Sequence, residues 1–269
     1  MKSSRSASGY SSVGSGRETV KAEEIVELLM AGKDDVQRDH LMRFFKTGKG
    51  EYGEGDRFIG LKVPQTRGVV KEARLCVPLP EIEKLLQSEW HEVRLAGLLL
   101  LVEEMKESLP KQKDNEEIRR SKVVRREEIA HFYLKNARCA NNWDLVDLSC
   151  EYILGPYIRL SEKPDYDILY RLSGSDNLWE QRISIVTTLD FIRNGIFQVT
   201  LELADRLIDH PHDLIHKAIG WTLREIGKRD EKVMTDYLER NHARLPRTSL
   251  RYAIERLPER ERCYWLKRR

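Results

Sequence analysis

Apolar residues recur at steps of three and four along most of the chain, which is the spacing that places them on one face of an α-helix. Ile25, Leu28 and Leu29 belong to the first such stripe. A second helix is predicted over residues 34–45, and further helices are predicted at 65–75, 80–88, 90–108 and up to about 136. With only 16 glycines and nine prolines in 269 residues, the pattern indicates an all-α fold.

Polar runs and helix-breaking residues separate these stripes. Residues 106–128 are strongly polar, and we interpret them as an exposed connector that leads into the next helix. In the second half, breaks between short helices are predicted at Gly155-Pro156, Gly174-Ser175, Asn194-Gly195, His210-Pro211 and Gly227.

The long irregular stretch of the first half is residues 46–64, which contain five glycines and end at Pro64. A loop of this length inside a helical array is more often functional than accidental, although a tolerated insertion is the alternative. The GKGEYGEG run within it follows no apolar strand and lacks the G-K-[ST] ending of a phosphate-binding loop, so it does not predict a nucleotide site.

A short phrase, in which a basic residue precedes small and aliphatic residues, recurs in four predicted helices. It contains Arg94, Arg182, Lys217 and Arg251, and the last three are 35 and 34 residues apart. A period of this size in helical hairpins predicts an α-solenoid, in which equivalent positions line up on one face. These residues form either a basic stripe on a concave face or salt bridges between repeats.

The charge distribution changes this picture only at the C-terminal end. The net charge is +3, but the segment from Lys217 to the end has 15 Lys/Arg and eight Asp/Glu, a net of +7. A basic segment on a near-neutral chain is consistent with an anionic partner, and an Arg-rich solvated face is the alternative.

Several classes of protein are not expected from the composition. The four cysteines lack C-x-x-C spacing, so we interpret them as thiols of a reducing cytoplasm and expect no metal and no cofactor. The longest apolar run, residues 95–102, is too short to cross a membrane. Residues 1–17 are Ser/Gly-rich and are predicted to be disordered, which leaves residues 18–269 as one HEAT-like repeat domain.

Aromatic and charged residues are combined in a way that predicts chemistry. Three of the five tryptophans are followed within four residues by a charged residue: Trp143 by Asp147, Trp179 by Arg182, and Trp221 by Arg224. If these helices face one groove, the groove suits a cationic ring attached to a sugar on a polyanion. Aromatic faces attract the cation, a carboxylate stabilises charge on the sugar, and arginines hold phosphates. A structural role for tryptophan beside a carboxylate is the alternative.

Several segments are similar to the AlkD-type DNA alkylation repair family, whose members are HEAT-like repeat alkylpurine DNA glycosylases. The resemblance covers residues 20–260 and is carried by NNWDLVD, NLWEQRISIV, IHKAIGWTLRE, RFFK and FIGLKVPQTR. It implies a monofunctional enzyme that hydrolyses the N-glycosidic bond of N3- or N7-alkylated purines in duplex DNA, as a monomer. The alternatives are a non-catalytic HEAT-like DNA-binding protein and a protein-binding solenoid.

The resemblance also implies roles for individual residues. Asp147 matches the catalytic carboxylate, Trp143 a tryptophan beside the deoxyribose, and Arg182 an arginine that contacts a backbone phosphate near the lesion. Trp221 matches a second aromatic residue of the cleft, and Phe44 falls where the family can carry a tyrosine. Further DNA contacts are expected from Lys46, Lys217, Arg224 and Arg251. The family need not flip the lesion into a deep pocket, and the sequence contains no obvious motif for such a pocket.

Overall fold

The computed structural model describes residues 18–268, so the segment 1–17 predicted to be disordered lies outside it. Within the described range the regular structure is helical, with a single isolated β-bridge between Arg57 and Trp90. This confirms the all-α prediction. The helices are α1 (Ala22–Met30), α2 (Asp35–Phe44), α3 (Val63–Ala73), α4 (Leu79–Leu86), α5 (His91–Glu107), α6 (Glu116–Lys135), α7 (Trp143–Asp147), α8 (Cys150–Arg159), α9 (Asp167–Ser173), α10 (Leu178–Val186), α11 (Thr188–Arg193), α12 (Gln198–Leu207), α13 (Asp213–Gly227), α14 (Glu231–Asn241), α15 (Arg247–Ala253) and α16 (Glu259–Lys267).

Short polar side chains begin several of these helices. The Asn115, Asn142, Asn177 and Asp230 side chains each accept a hydrogen bond from a backbone N–H in the first turn of the helix that follows. An N-cap of this kind satisfies a donor that the helix itself leaves free. Because Asn142 and Asn177 begin α7 and α10, they fix where the helices that carry Asp147 and Arg182 start.

Helix α5 is the central helix of the first half. Residues on all of its faces are buried, as expected for a helix surrounded by others, and α3, α4, α6 and α8 pack against it. Three polar residues in its first turn, His91, Glu92 and Arg94, are buried with it. A charged side chain in this buried position needs an oppositely charged or hydrogen-bonding partner inside the protein.

The prediction of an exposed connector over 106–128 is wrong for most of its length. The connector is confined to the residues between Glu107 and Glu116, and α6 already includes residues 116–128. The early turns of α6 have exposed apolar residues and no apolar stripe, so periodicity does not reveal them. Contacts to the end of α5 hold them instead: Arg125 pairs with Glu104 at 2.8 Å.

The predicted break at Gly155-Pro156 is also wrong, because α8 runs through both residues. Gly155 allows a close approach to α11, since a Cβ at this position would lie 2.4 Å from the Cβ of Asp190. The other four predicted breaks are confirmed at the ends of α9, α11, α12 and α13.

Four helices of the second half stack in chain order, and we call α7, α10, α13 and α15 the stacked row. Helix α10 packs on α7, α13 on α10, and α15 on α13, which gives the helical-repeat architecture that the period of 34–35 residues predicts. The regular spacing extends one helix before Arg182, into the gap between the Arg94 and Arg182 phrases. Asp147 on α7 precedes Arg182 by 35 residues and therefore occupies the position that Arg182, Lys217 and Arg251 hold in the next three helices of the row.

Candidate active site

Asp147 ends the short helix α7 and is paired with the neighbouring repeat. Its Oδ1 accepts a hydrogen bond from Arg182 Nε at 2.9 Å, and its Oδ2 accepts one from Arg182 Nη2 at 2.8 Å. Two parallel bonds of this kind fix the plane of a carboxylate. The Asp147 side chain remains 14% exposed, so it can be reached from outside while its orientation is held.

Arg182 is a buried residue that links three helices of the stacked row. Its side chain is 5% exposed, and its remaining terminal nitrogen, Nη1, donates to the Leu214 carbonyl oxygen on α13 at 2.6 Å. All three guanidinium nitrogens therefore have partners within the protein. The phosphate contact implied by the resemblance would require Arg182 to release one of them, and the arrangement instead suits Arg182 as the residue that holds Asp147.

Burial raises the pKa of the Asp147 carboxyl, and the charge and hydrogen bonds of Arg182 oppose that rise. The carboxylate is thus poorly solvated but paired. A carboxylate in such a place is more basic than one in water, and it stabilises a nearby positive charge more strongly.

Trp143, one turn before Asp147, lies in an aromatic cluster with the end of α2. Its ring stacks on Phe45 at 5.3 Å and meets Phe44 edge to face at 5.9 Å. Phe44 is 56% exposed, whereas Phe45 is buried. The cluster therefore presents aromatic faces to solvent directly beside the carboxylate.

A cavity of about 430 Å³ lies beside α7. Its walls are mainly apolar and include Leu41, Phe44, Phe45, Phe58, Leu61 and Trp143. Asp144 and Asp147 also line it, as do His91 and Glu92. The sequence contains no obvious motif for a deep pocket, and the space next to the predicted catalytic carboxylate is half-open to solvent rather than enclosed.

A buried network of hydrogen-bonded charged side chains joins α7 to α5 and to the glycine-rich loop. His91 Nε2 lies 2.9 Å from Asp144 Oδ2, and His91 Nδ1 lies 2.8 Å from Asp56 Oδ2. Arg94 donates to the other oxygen of Asp56. The His91 ring is stacked against Phe58 at 4.3 Å. This network fixes Asp144, and with it the start of α7, against the loop.

The charged side chains of this network stabilise each other's ionised forms. Burial alone would lower the pKa of His91, but Asp144 and Asp56 raise it to about 9, so the ring is an imidazolium at neutral pH. Burial would raise the pKa of Asp56, and hydrogen bonds and charges from His91 and Arg94 instead hold it below its usual value. Two cations and two carboxylates therefore form a compensated group beside the cavity.

Glu92 fixes the end of the glycine-rich loop. Its carboxylate accepts hydrogen bonds from three successive backbone N–H groups, at 2.9 Å from Ile59, 2.9 Å from Gly60 and 3.1 Å from Leu61. Gly60 has a φ of 103°, and a Cβ there would lie 2.0 Å from the Asp34 carbonyl oxygen. Only glycine fits this close crossing.

The middle of the loop lies across the start of the stacked row. Tyr52 meets Trp179 edge to face at 6.1 Å and His212 at 6.3 Å. Gly53 donates its N–H to the Lys46 carbonyl oxygen at 3.0 Å, which closes the loop on itself. The loop is thus packed against α10 and the N-cap of α13 and forms one wall beside Trp143.

The remaining predicted DNA-contacting residues are spread over the surface. Lys46, in the loop, is exposed and lies 4.0 Å from Glu51. Trp221 is half-buried on α13 and is not part of the cavity lining. The last three are cationic: Lys217 pairs with Asp213 at 2.9 Å, Arg224 pairs with Glu255, and Arg251 is exposed with no ion pair to residues 18–268.

The structure therefore brings Trp143, Asp147, Arg182 and Phe44 into one region, and it adds residues that the sequence reasoning missed. These are His91, Glu92, Asp56 and Asp144. One signal was available: charged residues crowd the first turn of a helix whose next eight residues, 95–102, are all apolar or glycine. The partners of His91 lie 35 residues earlier and 53 residues later, and no short motif connects them.

Among residues 18–268, no group of three or more His, Cys, Asp or Glu side chains is arranged to hold a metal ion. No helix in the same range is both long and apolar enough to span a bilayer.

The fold and the site define an all-α helical-repeat protein. Its site has a carboxylate that is paired with a buried arginine and lies beside an aromatic-lined cavity. The sequence profile of the family "DNA alkylation repair enzyme" matches residues 25–257, so the chain belongs to this family. Membership supports a role in the repair of alkylated DNA, with DNA as the partner.

A solved structure has the same fold. It is described as a predicted DNA alkylation repair enzyme from Enterococcus faecalis and superposes with a TM-score of 0.59 at 16% sequence identity. The match covers 84% of this chain and 97% of the other. No curated protein shows significant sequence similarity.

Proposed function

We propose that the protein is a monofunctional DNA glycosylase that hydrolyses the N-glycosidic bond of cationic N3- or N7-alkylated purines in duplex DNA. The observation that carries the proposal is the Asp147 carboxylate, oriented by Arg182 through two hydrogen bonds and accessible beside Trp143. Family membership supports the DNA substrate, and the chemistry of these residues supports the type of reaction.

The reaction needs few groups from the protein. An alkylated purine is already positively charged, so it leaves with the bonding electron pair as a neutral base, and positive charge develops on the deoxyribose. Asp147 stabilises that charge and accepts the proton of the water that attacks the sugar C1′. A raised carboxyl pKa makes Asp147 a better base for this step.

Trp143 and Arg182 have supporting roles in this mechanism. The exposed ring of Phe44 and the partly buried ring of Trp143 lie where an electron-poor sugar or base would pack. Arg182 keeps Asp147 ionised and holds the orientation of its carboxylate. Through its hydrogen bond to the Leu214 carbonyl oxygen, Arg182 also links α7 to α13. Lys46 and Arg251, which are exposed, would contact phosphates.

Replacement of Asp147 by asparagine tests the reaction. Asp147→Asn should reduce release of 7-methylguanine from methylated duplex DNA by at least about a hundredfold, because the charge that stabilises the sugar is lost. DNA affinity and the far-ultraviolet circular dichroism spectrum should change little. Single-turnover release, measured by chromatography of the free base, is the readout.

Asp236→Asn is the matched control, since Asp236 is an exposed carboxylate on α14 paired only with Lys232. It should release base at the wild-type rate. Unchanged release by Asp147→Asn would remove Asp147 from the mechanism. A folded wild-type protein that binds duplex DNA and releases no alkylated base would indicate a non-catalytic DNA-binding member of the family. One that does not bind DNA would indicate a protein-binding solenoid.

A further inference from the structure

Tyr52, in the middle of the glycine-rich loop, reaches the starts of three helices of the stacked row. Its half-buried ring meets Trp179 of α10 and His212, the N-cap of α13, edge to face. Its hydroxyl oxygen accepts a hydrogen bond from the indole N–H of Trp143, the first residue of α7. One loop residue therefore contacts three successive repeats, and the reaction described above gives it no role.

The hydrogen bond to Tyr52 adds a constraint on Trp143 that its other contacts do not supply. The indole stacks on Phe45 at 5.3 Å and meets Phe44 edge to face at 5.9 Å. Ring contacts of this kind hold two rings together but allow one to slide or turn against the other. A hydrogen bond is directional, so the Tyr52 hydroxyl selects one orientation of the indole in its own plane.

The backbone beside Tyr52 places this hydroxyl. A Cβ at Gly53 would lie 2.4 Å from the Phe45 carbonyl oxygen and 3.3 Å from the Nδ2 atom of Asn142, the N-cap of α7. The loop therefore crosses the end of α2 and the start of α7 at a distance that only glycine allows. The Gly53 N–H donates to the Lys46 carbonyl oxygen at 3.0 Å, which fixes the crossing.

Tyr52 is suited to this contact because it stays uncharged. Burial raises the pKa of the Tyr52 hydroxyl above its ordinary value, although the hydrogen bond from Trp143 and the charge of Lys217 oppose that rise. The phenol is therefore protonated at neutral and mildly alkaline pH. It accepts the indole N–H without bringing a further negative charge close to the carboxylates of α7.

We propose that Tyr52 is a positioning residue for base excision, which sets the orientation of the Trp143 ring one turn before Asp147. This role rests on the proposed function, in which the sugar of the lesion packs on Trp143 while Asp147 acts at C1′. A small misplacement of a group that orients the reacting atoms costs a large part of the rate. Tyr52 is not part of the cavity lining and acts through Trp143.

Tyr52→Phe tests this role, because it removes the hydroxyl and keeps the ring that packs on Trp179 and His212. We expect single-turnover release of 7-methylguanine to fall about tenfold, the effect of one lost hydrogen bond. Duplex affinity and the urea midpoint should be unchanged. Tyr264→Phe, at an exposed tyrosine on α16, is the matched control and should release base at the wild-type rate.

A double-mutant cycle distinguishes positioning from loop anchoring. If Tyr52 acts through the indole N–H, Tyr52→Phe should slow release about tenfold in the wild type and have no effect in a Trp143→Phe background. The same loss in both backgrounds would overturn the proposal. A Tyr52→Phe variant with the wild-type rate would also overturn it, and would leave Tyr52 as an anchor of the loop.

The contact can be measured without excision. In the ¹⁵N-labelled full chain, the five tryptophans give five indole N–H resonances, and Trp143→Phe identifies the one that belongs to Trp143. In Tyr52→Phe this resonance should shift and its proton should exchange faster with water, whereas an unmoved resonance would overturn the contact. If the resonance responds but the wild type releases no base, the proposed function and the role in excision both fail, and Tyr52 still holds Trp143.

Discussion

His91 holds a positive charge in a place from which water is almost absent. The ring is 2% exposed, yet Asp144 and Asp56 raise its pKa to about 9. The unfolded chain would return this pKa to about 6.5. At a pH between these two pKa values the folded protein binds a proton at His91 that the unfolded chain does not. The stability of the protein therefore depends on pH through this residue.

The sign of that dependence follows from the raised pKa. The stabilising contribution of His91 is fully present below about pH 6.5 and is lost as the pH rises through about 9. We expect the free energy of unfolding to fall by about 3 kcal/mol across this window. Urea denaturation at a series of pH values measures it.

His91→Gln supplies the control for this prediction. The variant should be less stable than the wild type at neutral pH, because Asp56 and Asp144 lose their shared cation. Its stability should be nearly independent of pH over the same window. A wild-type curve that is equally flat would contradict the assignment of an imidazolium.

At this scale the sequence predicted part of the site. Trp143, Asp147 and Arg182 were predicted to act together, and the structure brings them together. The solvent exposure of Arg182 could not be predicted, because a periodic arginine suits a basic stripe and an inter-repeat salt bridge equally well. Arg182 and Arg94 both proved to be buried and paired with aspartates.

At the scale of elements, the glycine-rich loop is anchored to the helices around it and forms one wall of the site. Three backbone N–H groups at its end donate to Glu92, Asp56 joins it to α5, and Tyr52 packs on α10. The loop was predicted from its glycines, but its anchoring was not, because Glu92 is a single acidic residue in a helical phrase. The structure makes a tolerated insertion the weaker interpretation.

Replacing Glu92 tests how far the loop depends on it. Glu92→Gln turns one acceptor oxygen into an NH₂ group that faces backbone donors, so we expect a loss of about 1–3 kcal/mol in unfolding free energy. Amide exchange at residues 59–61 should accelerate more than exchange in the stacked row. Chemical denaturation and hydrogen exchange by mass spectrometry measure the two effects.

Glu107→Gln is the matched control, because Glu107 is exposed at the other end of the same helix and pairs only with Lys111. It should be within about 0.5 kcal/mol of the wild type. A Glu92 variant with wild-type stability and exchange would show that the loop is held by other contacts, such as those of Tyr52.

At the scale of the whole molecule, much of the basic charge is already paired. Lys217 and Arg224 have carboxylate partners, whereas Arg251 is exposed without an ion pair to residues 18–268. The net of +7 in the C-terminal segment already counts Glu255 against Arg224, but Asp213 and Asp209 precede the segment and pair with its Lys217 and Arg244, so the charge available to DNA is smaller than +7. The phosphate contacts should be carried by a few cations, which makes their contributions separable.

Salt dependence measures those contacts. Lys46→Gln and Arg251→Gln should each reduce the slope of log affinity against log salt concentration by about 0.9, the value for one lost phosphate contact. Fluorescence anisotropy with a labelled duplex at several salt concentrations gives the slopes. Lys232→Gln, which removes an exposed cation on α14 outside the stacked row, should leave the slope unchanged. Equal slopes in all three variants would contradict the predicted DNA surface.

The position of Asp147 in the repeat has a consequence for how the array tolerates change. This carboxylate stands where the next three repeats carry a cation, and its counter-ion Arg182 is the equivalent residue one repeat later. One charge reversal in a periodic frame is thus enough to create an oriented carboxylate. The packing of α10 on α7 is therefore held by an ion pair as well as by apolar contacts, so substitutions that change the spacing of these two helices should cost more stability than those between α13 and α15.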